Sequence, residues 1–271
     1  MTSSDQAKAA TKSDSELLYE VSDGIGLITF NRPAARNALT FAMYDRLAEI
    51  CASTPADGSV KAIILTGAGG RAFAAGTDIS LFRDFRTREQ GLEYERRAEE
   101  NFTAIEACPV PTIAAIAGAC TGGGAAIAAC CDIRIAARDM KFGFPIARTL
   151  GNCLSAATLA RLVGLLGEAR VVDLIYTARL MEADEARAIG LISEVLDSPA
   201  AVMARAWTLA REIAGHAPLT LRITKELLRR LRARAPKVDD SDLIAKAYTS
   251  ADFREGLEAF LAKRPPKWIG R

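Results

Sequence analysis

Residues 112–132 read TIAAIAGACTGGGAAIAACCD, an apolar run interrupted by three consecutive glycines at 122–124. The first part is typical of a buried β-strand and the last part of a buried helix. A glycine costs about 1 kcal/mol relative to alanine inside a helix, so three at a helix start indicate that the backbone itself has a role. The unpaired N–H groups of such a start, together with the helix dipole, favour an anion. The stretch therefore predicts an anion-binding turn between a strand and a helix.

The residues around the glycines distinguish a phosphate from an oxyanion. The run has neither the Gly-Lys-Ser/Thr ending of a P-loop nor the G-x-G-x-x-G spacing of a dinucleotide-binding turn. Its apolar continuation suits a negative charge that develops on a carbonyl oxygen in a dry pocket. A second turn, RAFAAGTDIS at residues 71–80, follows the strand AIILTG and contains Gly76. The two turns could each supply one N–H to the same oxygen; alternatively, both are ordinary strand-to-helix turns.

The overall composition argues against several functional classes. The chain of 271 residues has a net charge of +2, which is too balanced to indicate a nucleic acid or an anionic membrane as partner. Its apolar runs are shorter than the roughly 20 residues that a membrane span requires. The polar N-terminus, residues 1–15, is interpreted as a flexible tail without a signal peptide, which predicts a cytoplasmic protein.

The cysteines and the histidine give no indication of a metal site. Six cysteines without a C-x-x-C pair are predicted to be small buried thiols. The single histidine, His216, follows a glycine after a predicted helix, where a surface role is favoured over catalysis. With one histidine and no clustered acids, no metal is expected.

The order of strand and helix signals predicts two regions after the tail. In the first, residues 16–197, a hairpin around Asp23-Gly24 and a helix capped by Thr40 precede strand–strand–helix segments. In the second, residues 198–271, the strand signals stop and helical patterns follow. The sequence therefore predicts an α/β core with a helical C-terminal region.

Three ordered blocks resemble the signature of one enzyme superfamily. They are NRPAARNALT (31–40), FAAGTDIS (73–80) and AIAGACTGGGAAIAACCDIRIAA (115–137), and the similarity continues to FREGLEAFLAKR near the C-terminus. On these residues the chain is identified as a member of the crotonase, or enoyl-CoA hydratase/isomerase, superfamily. The resemblance implies a spiral of strand–strand–helix turns with a C-terminal helical trimerisation region.

The resemblance also implies a substrate and its anchor. The substrate is an acyl-CoA thioester whose oxygen is held as an enolate by two backbone N–H groups. By motif position these groups belong to Thr77 and Gly123. The implied assembly is a homotrimer or a dimer of trimers, and no cofactor is expected beyond the CoA part of the substrate.

The resemblance further suggests contacts with CoA. The backbone around Ala35 and Ala75 is expected to line the adenine and pantetheine path, and Arg36 to lie beside the CoA phosphates. Lys263 could reach the CoA of a neighbouring subunit. For both Arg36 and Lys263 the alternative is a plain surface charge.

The chain departs from the superfamily at two positions that matter for hydration. The hydratases it resembles use two glutamates to activate water and protonate carbon. One glutamate follows the central glycine by three residues and the other comes just after the Phe-Gly-x-Pro turn. Here these positions hold Ala126 and Ile146, and neither side chain can move a proton. We therefore expect crotonyl-CoA to be hydrated slowly or not at all.

Other residues are candidates for the missing chemistry. Glu99 is a candidate general base, or else an exposed acid on a charged helix. A helix is predicted at about residues 154–165, with Asn152 as its cap. The dipole of that helix would favour a thiolate at Cys153. The alternative is that Cys153 is a buried structural thiol. Arg148, in a pocket wall, could hold a substrate carboxylate.

The leading functional hypothesis is an acyl-CoA enzyme, with hydration, isomerisation, C–C cleavage and decarboxylation left open. The alternative is a binding module without turnover, either for CoA esters or for RNA. The basic run RRLRARAPK at residues 229–237 is the feature that favours RNA. Since no aromatic residues are interleaved with its arginines, a solvated helix face is the better interpretation, and nucleic acid is not expected as a partner.

Overall fold

A computed structural model describes residues 15–232 and 238–270 of the chain. Its ten strands within these residues are β1 (Leu17–Ser22), β2 (Ile25–Phe30), β3 (Ala62–Gly67), β4 (Ala72–Ala74), β5 (Thr112–Ile116), β6 (Ala119–Thr121), β7 (Ile133–Ala137), β8 (Lys141–Gly143), β9 (Met181–Glu182) and β10 (Glu194–Leu196). The eleven α-helices of the same residues are α1 (Phe41–Ser53), α2 (Arg88–Ala107), α3 (Gly123–Cys130), α4 (Ile146–Thr149), α5 (Ala156–Leu166), α6 (Glu168–Tyr176), α7 (Ala183–Ala188), α8 (Pro199–Ala214), α9 (Pro218–Arg232), α10 (Ser241–Tyr248) and α11 (Ala251–Leu261).

The strands form two sheets that the chain visits alternately. The six-stranded sheet has the order β1-β2-β3-β5-β7-β10, and the four-stranded sheet has the order β4-β6-β8-β9. The strand pairs β3/β4, β5/β6 and β7/β8 each place one strand in each sheet, and a helix follows each pair. This arrangement confirms the α/β fold with strand–strand–helix turns. The two glycine turns follow β4 and β6, which are parallel neighbours, so they meet at the same sheet edge.

The start of the core follows its local sequence signals. β1 and β2 pair antiparallel, and Asp23 and Gly24 between them have φ values of 53° and 74°. Positive φ at both central residues is the requirement of a type I′ hairpin turn. Thr40 caps α1, because its side chain accepts a hydrogen bond from the Met43 N–H. Both predictions are confirmed.

The C-terminal helices pack against two different parts of the core. α8 covers one face of the six-stranded sheet, where Val202, Ala206 and Ala210 join a cluster that includes Ile64 and Ala115. α10 and α11 instead contribute to a second apolar cluster of Phe82, Leu150, Ile244, Tyr248, Phe253 and Leu257. The C-terminal region is therefore helical in its described residues, but it is part of the core rather than a detached tail.

Several other predictions concern the periphery. The predicted tail lies outside the described residues except for Ser15. All six cysteines are free thiols, and His216 is exposed after α8. Among the described residues, none of the helices combines the length and hydropathy of a membrane span. Of the basic run, residues 233–237 lie outside the described part, while Arg229 and Arg230 both form ion pairs with Glu226.

Candidate active site

Each of the three glycines at the start of α3 has its own structural reason. Gly122 has φ 52° and ψ −124°, a backbone conformation that other residues rarely adopt. At Gly123 an added Cβ would lie 1.8 Å from the Tyr44 hydroxyl. At Gly124 it would lie 2.2 Å from the Ala74 carbonyl oxygen, so the missing side chain lets α3 pack directly on β4. The glycine run therefore permits a turn, a close hydroxyl contact and a close helix–strand contact.

The second glycine turn lies directly beside the first. A Cβ added to Gly76 would lie 3.6 Å from the Gly123 nitrogen and 3.2 Å from the Thr121 carbonyl oxygen. The Leu39 N–H donates to the Gly76 carbonyl, and the Asp78 N–H donates to the Leu39 carbonyl, which holds this turn in place. Within the described residues, neither the Thr77 N–H nor the Gly123 N–H has a hydrogen-bond acceptor. Two backbone donors without an acceptor among the described residues therefore lie in adjacent turns.

A short chain of hydroxyl groups surrounds these donors. Thr77 Oγ1 lies 3.0 Å from the Tyr44 hydroxyl and 2.9 Å from the Tyr94 hydroxyl. Burial raises the pKa of both tyrosines, so both are neutral at physiological pH. Tyr44 of α1 and Tyr94 of α2 thereby help to fix the position of Thr77, which itself belongs to the second glycine turn.

A cavity of about 110 Å³ opens in front of the two N–H groups. Its walls are mostly apolar and include Phe82, Phe102 and Phe144. Ala126 from α3 and Ile146 from α4 both line it. At the two positions where the resemblance implies glutamates, the cavity thus has aliphatic walls.

One carboxyl group lines this apolar cavity, that of Glu95 on α2. Glu95 is only 9% exposed, and its Oε1 accepts a hydrogen bond of 2.6 Å from the Tyr248 hydroxyl on α10. Burial raises the pKa of Glu95 to about 7, and the charges of Asp240 and Glu99 act in the same direction. The hydrogen bond from Tyr248 opposes these effects because it stabilises the carboxylate. The environment of Glu95 therefore favours the neutral acid more than water does.

Comparisons with known proteins agree with this fold. The profile of the enoyl-CoA hydratase/isomerase family matches residues 20–271. The chain belongs to the enoyl-CoA hydratase/isomerase family. It is 32% identical to the short-chain-enoyl-CoA hydratase of Clostridium acetobutylicum over 253 residues, which cover 92% of this chain and 95% of that protein.

Solved structures of the family are also similar. An enoyl-CoA hydratase/carnithine racemase from Magnetospirillum magneticum has 36% identity and a TM-score of 0.77, covering 96% of this chain and 97% of that one. A methylmalonyl-CoA decarboxylase in complex with 2-nitronate-propionyl-CoA has 26% identity and a TM-score of 0.85, covering 95% and 99% of the two chains. The family thus includes named hydratases and a decarboxylase, and its members act on acyl-CoA thioesters.

In this member of the family, two of the predicted catalytic candidates do not reach the cavity. Glu99 is not among the cavity-lining residues; its Oε1 accepts a hydrogen bond of 2.9 Å from Arg161 on α5. Arg148 is exposed, and it is its neighbours Ile146 and Thr149 on α4 that line the cavity. Neither residue is placed to act on a bound acyl group.

Cys153 does line the cavity, but the expected activation of its thiol is wrong. α5 begins at Ala156 and is capped by Ser155, whose side chain accepts from the Thr158 N–H. Cys153 therefore precedes the helix start rather than occupying it, and Asn152 is not the cap. Burial raises the pKa of the Cys153 thiol to about 12, so the thiol stays protonated. Asn152 lines the cavity instead, and its Nδ2 lies 3.3 Å from the Tyr248 hydroxyl.

The predicted CoA contacts fall into two groups. The Ala75 N–H donates to the Arg36 carbonyl, so the segments of Ala35–Arg36 and Ala75 are adjacent, and Ala75 lines the cavity. Arg36 has φ 51° and an exposed side chain. Lys263 is exposed just after α11 and does not line the cavity. Their roles towards CoA stay predictions.

Our sequence analysis missed Glu95, Tyr44, Tyr94 and Tyr248 as site residues. Helix periodicity does not separate Glu95 from Glu99. Glu95 lies seven residues and Glu99 three residues before Phe102, and both spacings place the glutamate on the same side of a helix as Phe102. The tyrosines carry no signal either, because their positions depend on contacts between distant segments.

Proposed function

We propose that this protein stabilises the enolate of an acyl-CoA thioester with the N–H groups of Thr77 and Gly123, and that it is not an efficient enoyl-CoA hydratase. The observation that carries the proposal is the pair of unpartnered, adjacent N–H groups at an apolar cavity. Backbone donors in a dry pocket are well suited to a charge that develops on a thioester oxygen. No cofactor beyond the CoA part of the substrate is needed for this chemistry.

The cavity walls also favour an uncharged acyl group. Among the described residues that line it there is no lysine, arginine or histidine, whereas Glu95 is present. A second carboxylate on the substrate would have no cation to pair with, and burial of an unpaired charge is costly. Decarboxylation of an acyl group that carries a carboxylate is therefore less well supported than proton transfer on a neutral acyl chain.

The wild-type protein is expected to hydrate crotonyl-CoA slowly or not at all, because Ala126 and Ile146 cannot activate water. It is nevertheless expected to exchange the protons next to the thioester carbonyl of a neutral acyl-CoA in D₂O. Hydration is followed by the loss of the conjugated enoyl absorbance, and exchange by mass spectrometry across a panel of acyl-CoAs. Rapid hydration of crotonyl-CoA would contradict the first part of the proposal.

The same panel separates the enzyme from a binding module without turnover. A CoA-ester-binding protein would bind members of the panel but would leave their proton content unchanged. An RNA-binding protein would be retained on immobilised RNA in a salt-dependent way, and substitution of Arg229 and Arg230 would weaken that retention. The ion pairs of both arginines with Glu226 make that outcome the less favoured one.

We further propose that the chain assembles as a homotrimer or a dimer of trimers in the cytoplasm. α9 has no buried residue in the single chain, and an apolar stripe along it is exposed: Leu219, Ile223, Leu227, Leu228 and Leu231. Exposed apolar stripes of this kind mark association surfaces. The double substitution Leu227→Glu and Leu231→Glu is expected to convert the assembly to monomers, as measured by light scattering. Leu243→Glu, at an exposed leucine on α10, is the control, and a monomeric wild type would contradict the proposal.

A further inference from the structure

We propose that Glu95 is the group that moves the substrate proton in this cavity, that Tyr248 of the C-terminal region positions it, and that the reaction is a shift of a carbon–carbon double bond along the acyl chain. This inference rests on the proposed function, because it requires an enolate held by Thr77 and Gly123. It adds the residue that forms the enolate and the fate of the proton. Glu95 and Tyr248 are 153 residues apart in sequence and lie on different helices.

The first argument is the placement of Glu95. It is the only carboxyl group among the described residues that line the cavity. Its charge acts on Tyr44 and Tyr94, the two tyrosines whose hydroxyls contact Thr77 Oγ1. Glu95 therefore lines the same cavity as Thr77 and Gly123.

The second argument is that the fold makes specific room for the Glu95–Tyr248 pair. Gly91 precedes Glu95 by one helical turn, and a Cβ at Gly91 would lie 2.6 Å from the Tyr248 Cβ. Gly91 lies in the first turn of α2, and a glycine inside a helix costs up to about 1 kcal/mol relative to alanine. Here it allows the Tyr248 ring to approach α2 and donate to the carboxylate. Asn152 also contacts the Tyr248 hydroxyl, and its own Oδ1 is buried without a partner.

The third argument is that a double-bond shift needs fewer catalytic groups than hydration does. Hydration requires one group to activate water and another to protonate carbon, but a double-bond shift requires only one group that takes a proton and returns it. The Glu95 carboxylate would remove a proton from C2 of a 3-enoyl-CoA. The C–H electron pair would form a C1–C2 double bond while the π pair of the carbonyl moves to the thioester oxygen, which gives a dienolate. The same carboxyl group would return the proton to C4, which accepts it with the π pair of the C3–C4 double bond, while a C2–C3 double bond forms and the oxygen re-forms the carbonyl. Atoms and electrons balance without water or a redox partner.

The groups that face Glu95 determine the pH dependence. They are Tyr248 from α10, Asp240 before α10, Glu99 and Tyr94 on its own helix, Tyr44 from α1, and Cys153 and the Ser155 N–H from the segment before α5. Because the base must be ionised, kcat/KM is expected to rise with pH up to the pKa of Glu95 near 7 and then level off. In Tyr248→Phe the carboxylate loses a donor, so its pKa rises and the acidic limb of the profile moves to higher pH.

The test measures conversion of 3-hexenoyl-CoA to the conjugated 2-enoyl thioester by absorbance, together with deuterium uptake from D₂O by mass spectrometry. Glu95→Gln keeps a side-chain oxygen that can accept the hydrogen bond from Tyr248, but it cannot take up a proton. It is expected to lower the rates of isomerisation and of deuterium uptake about 100-fold. Its affinity for CoA esters should be unchanged. Glu95→Asp should retain partial activity. Glu100→Gln, at an exposed position on the same helix, is the matched control and should stay within twofold of wild type.

Each other outcome points to a different error. If Glu95→Gln remains active while Glu99→Gln does not, Glu99 is the base and the inference is wrong. If the wild type exchanges protons and Glu95→Gln exchanges them equally well, the proposed enolate chemistry stands and the role of Glu95 fails. If the wild type binds acyl-CoA but neither exchanges nor isomerises it, the proposed function itself fails. If the Tyr248→Phe variant is slower but the acidic limb of its pH profile does not move, Tyr248 has only a structural role. Its assignment as the residue that positions Glu95 would then be wrong.

Discussion

Replacement of Gly123 by alanine is expected to lower the rate of proton exchange on an acyl-CoA by about 100- to 1,000-fold, the size of effect seen when one oxyanion donor is lost. The added Cβ would lie 1.8 Å from the Tyr44 hydroxyl and 3.3 Å from Thr77 Oγ1. Since atoms cannot remain that close, the start of α3 must move away from Thr77. The two N–H groups would then no longer converge on one oxygen.

A second substitution tests whether this loss is steric. Tyr44→Phe removes the hydroxyl that the new methyl group meets, although the ring carbon that carried it would still be 3.2 Å away. We therefore expect the double variant Gly123→Ala with Tyr44→Phe to recover part of the activity. Gly164→Ala, in α5 with no atom within 4 Å of the added Cβ, is the benign control. Because alanine keeps the backbone N–H, full activity of Gly123→Ala would show that the added methyl group does not displace this donor, and the steric argument would be wrong.

Arg161→Met is expected to lower the free energy of unfolding by about 2–3 kcal/mol, because it leaves two partly buried carboxylates without their cation. The Arg161 side chain is only 8% exposed. It donates to Glu99 at 2.9 Å and to Glu106 at 3.0 Å, and so joins α5 to α2. Glu106 would keep only a longer contact with Arg232, at 3.5 Å.

Urea denaturation at neutral pH measures this effect. Arg96→Met is the matched control, since Arg96 also pairs with two glutamates of α2 but its side chain is 56% exposed. Surface pairs of this kind contribute less than about 1 kcal/mol. A loss in Arg161→Met no larger than that of the control would show that the buried cluster does not stabilise α2 against α5.

The outline of the fold was predictable because its signals are local. The Asp23-Gly24 hairpin, the Thr40 cap and the strand-to-helix turn at 122–124 each depend on residues within a few positions of one another. The alternation of strand–strand–helix segments followed from apolar patterns of the same short range. The aliphatic residues Ala126 and Ile146 were assigned to the site by the resemblance to the superfamily, which could be applied because the glycines and the Phe-Gly-x-Pro turn mark the two positions.

The acid–base candidates were less predictable because helix orientation is not a local property. Glu95 and Glu99 are one turn apart on α2, and both belong to the same charged segment. Which of them faces the cavity depends on how α2 packs against α5 and α10. Arg161 holds Glu99 outside the cavity, whereas Tyr248 holds Glu95 inside it. The prediction for Cys153 depended in the same way on the exact start of α5. Because α5 begins at Ala156 and not at residue 154, Cys153 does not lie at the N-terminus of the helix, where the dipole would favour a thiolate.

The sequence by itself determined that two strands end in glycine turns and that aliphatic residues occupy the positions where the resemblance implies the two hydratase glutamates. These properties follow from local backbone preferences and from the chemical identity of single residues. Only the tertiary structure decided that the two strands are parallel neighbours and which side chains line the cavity at their ends. Glu95 became a buried carboxyl group of raised pKa because α10, from the far end of the chain, closes over it and removes it from water.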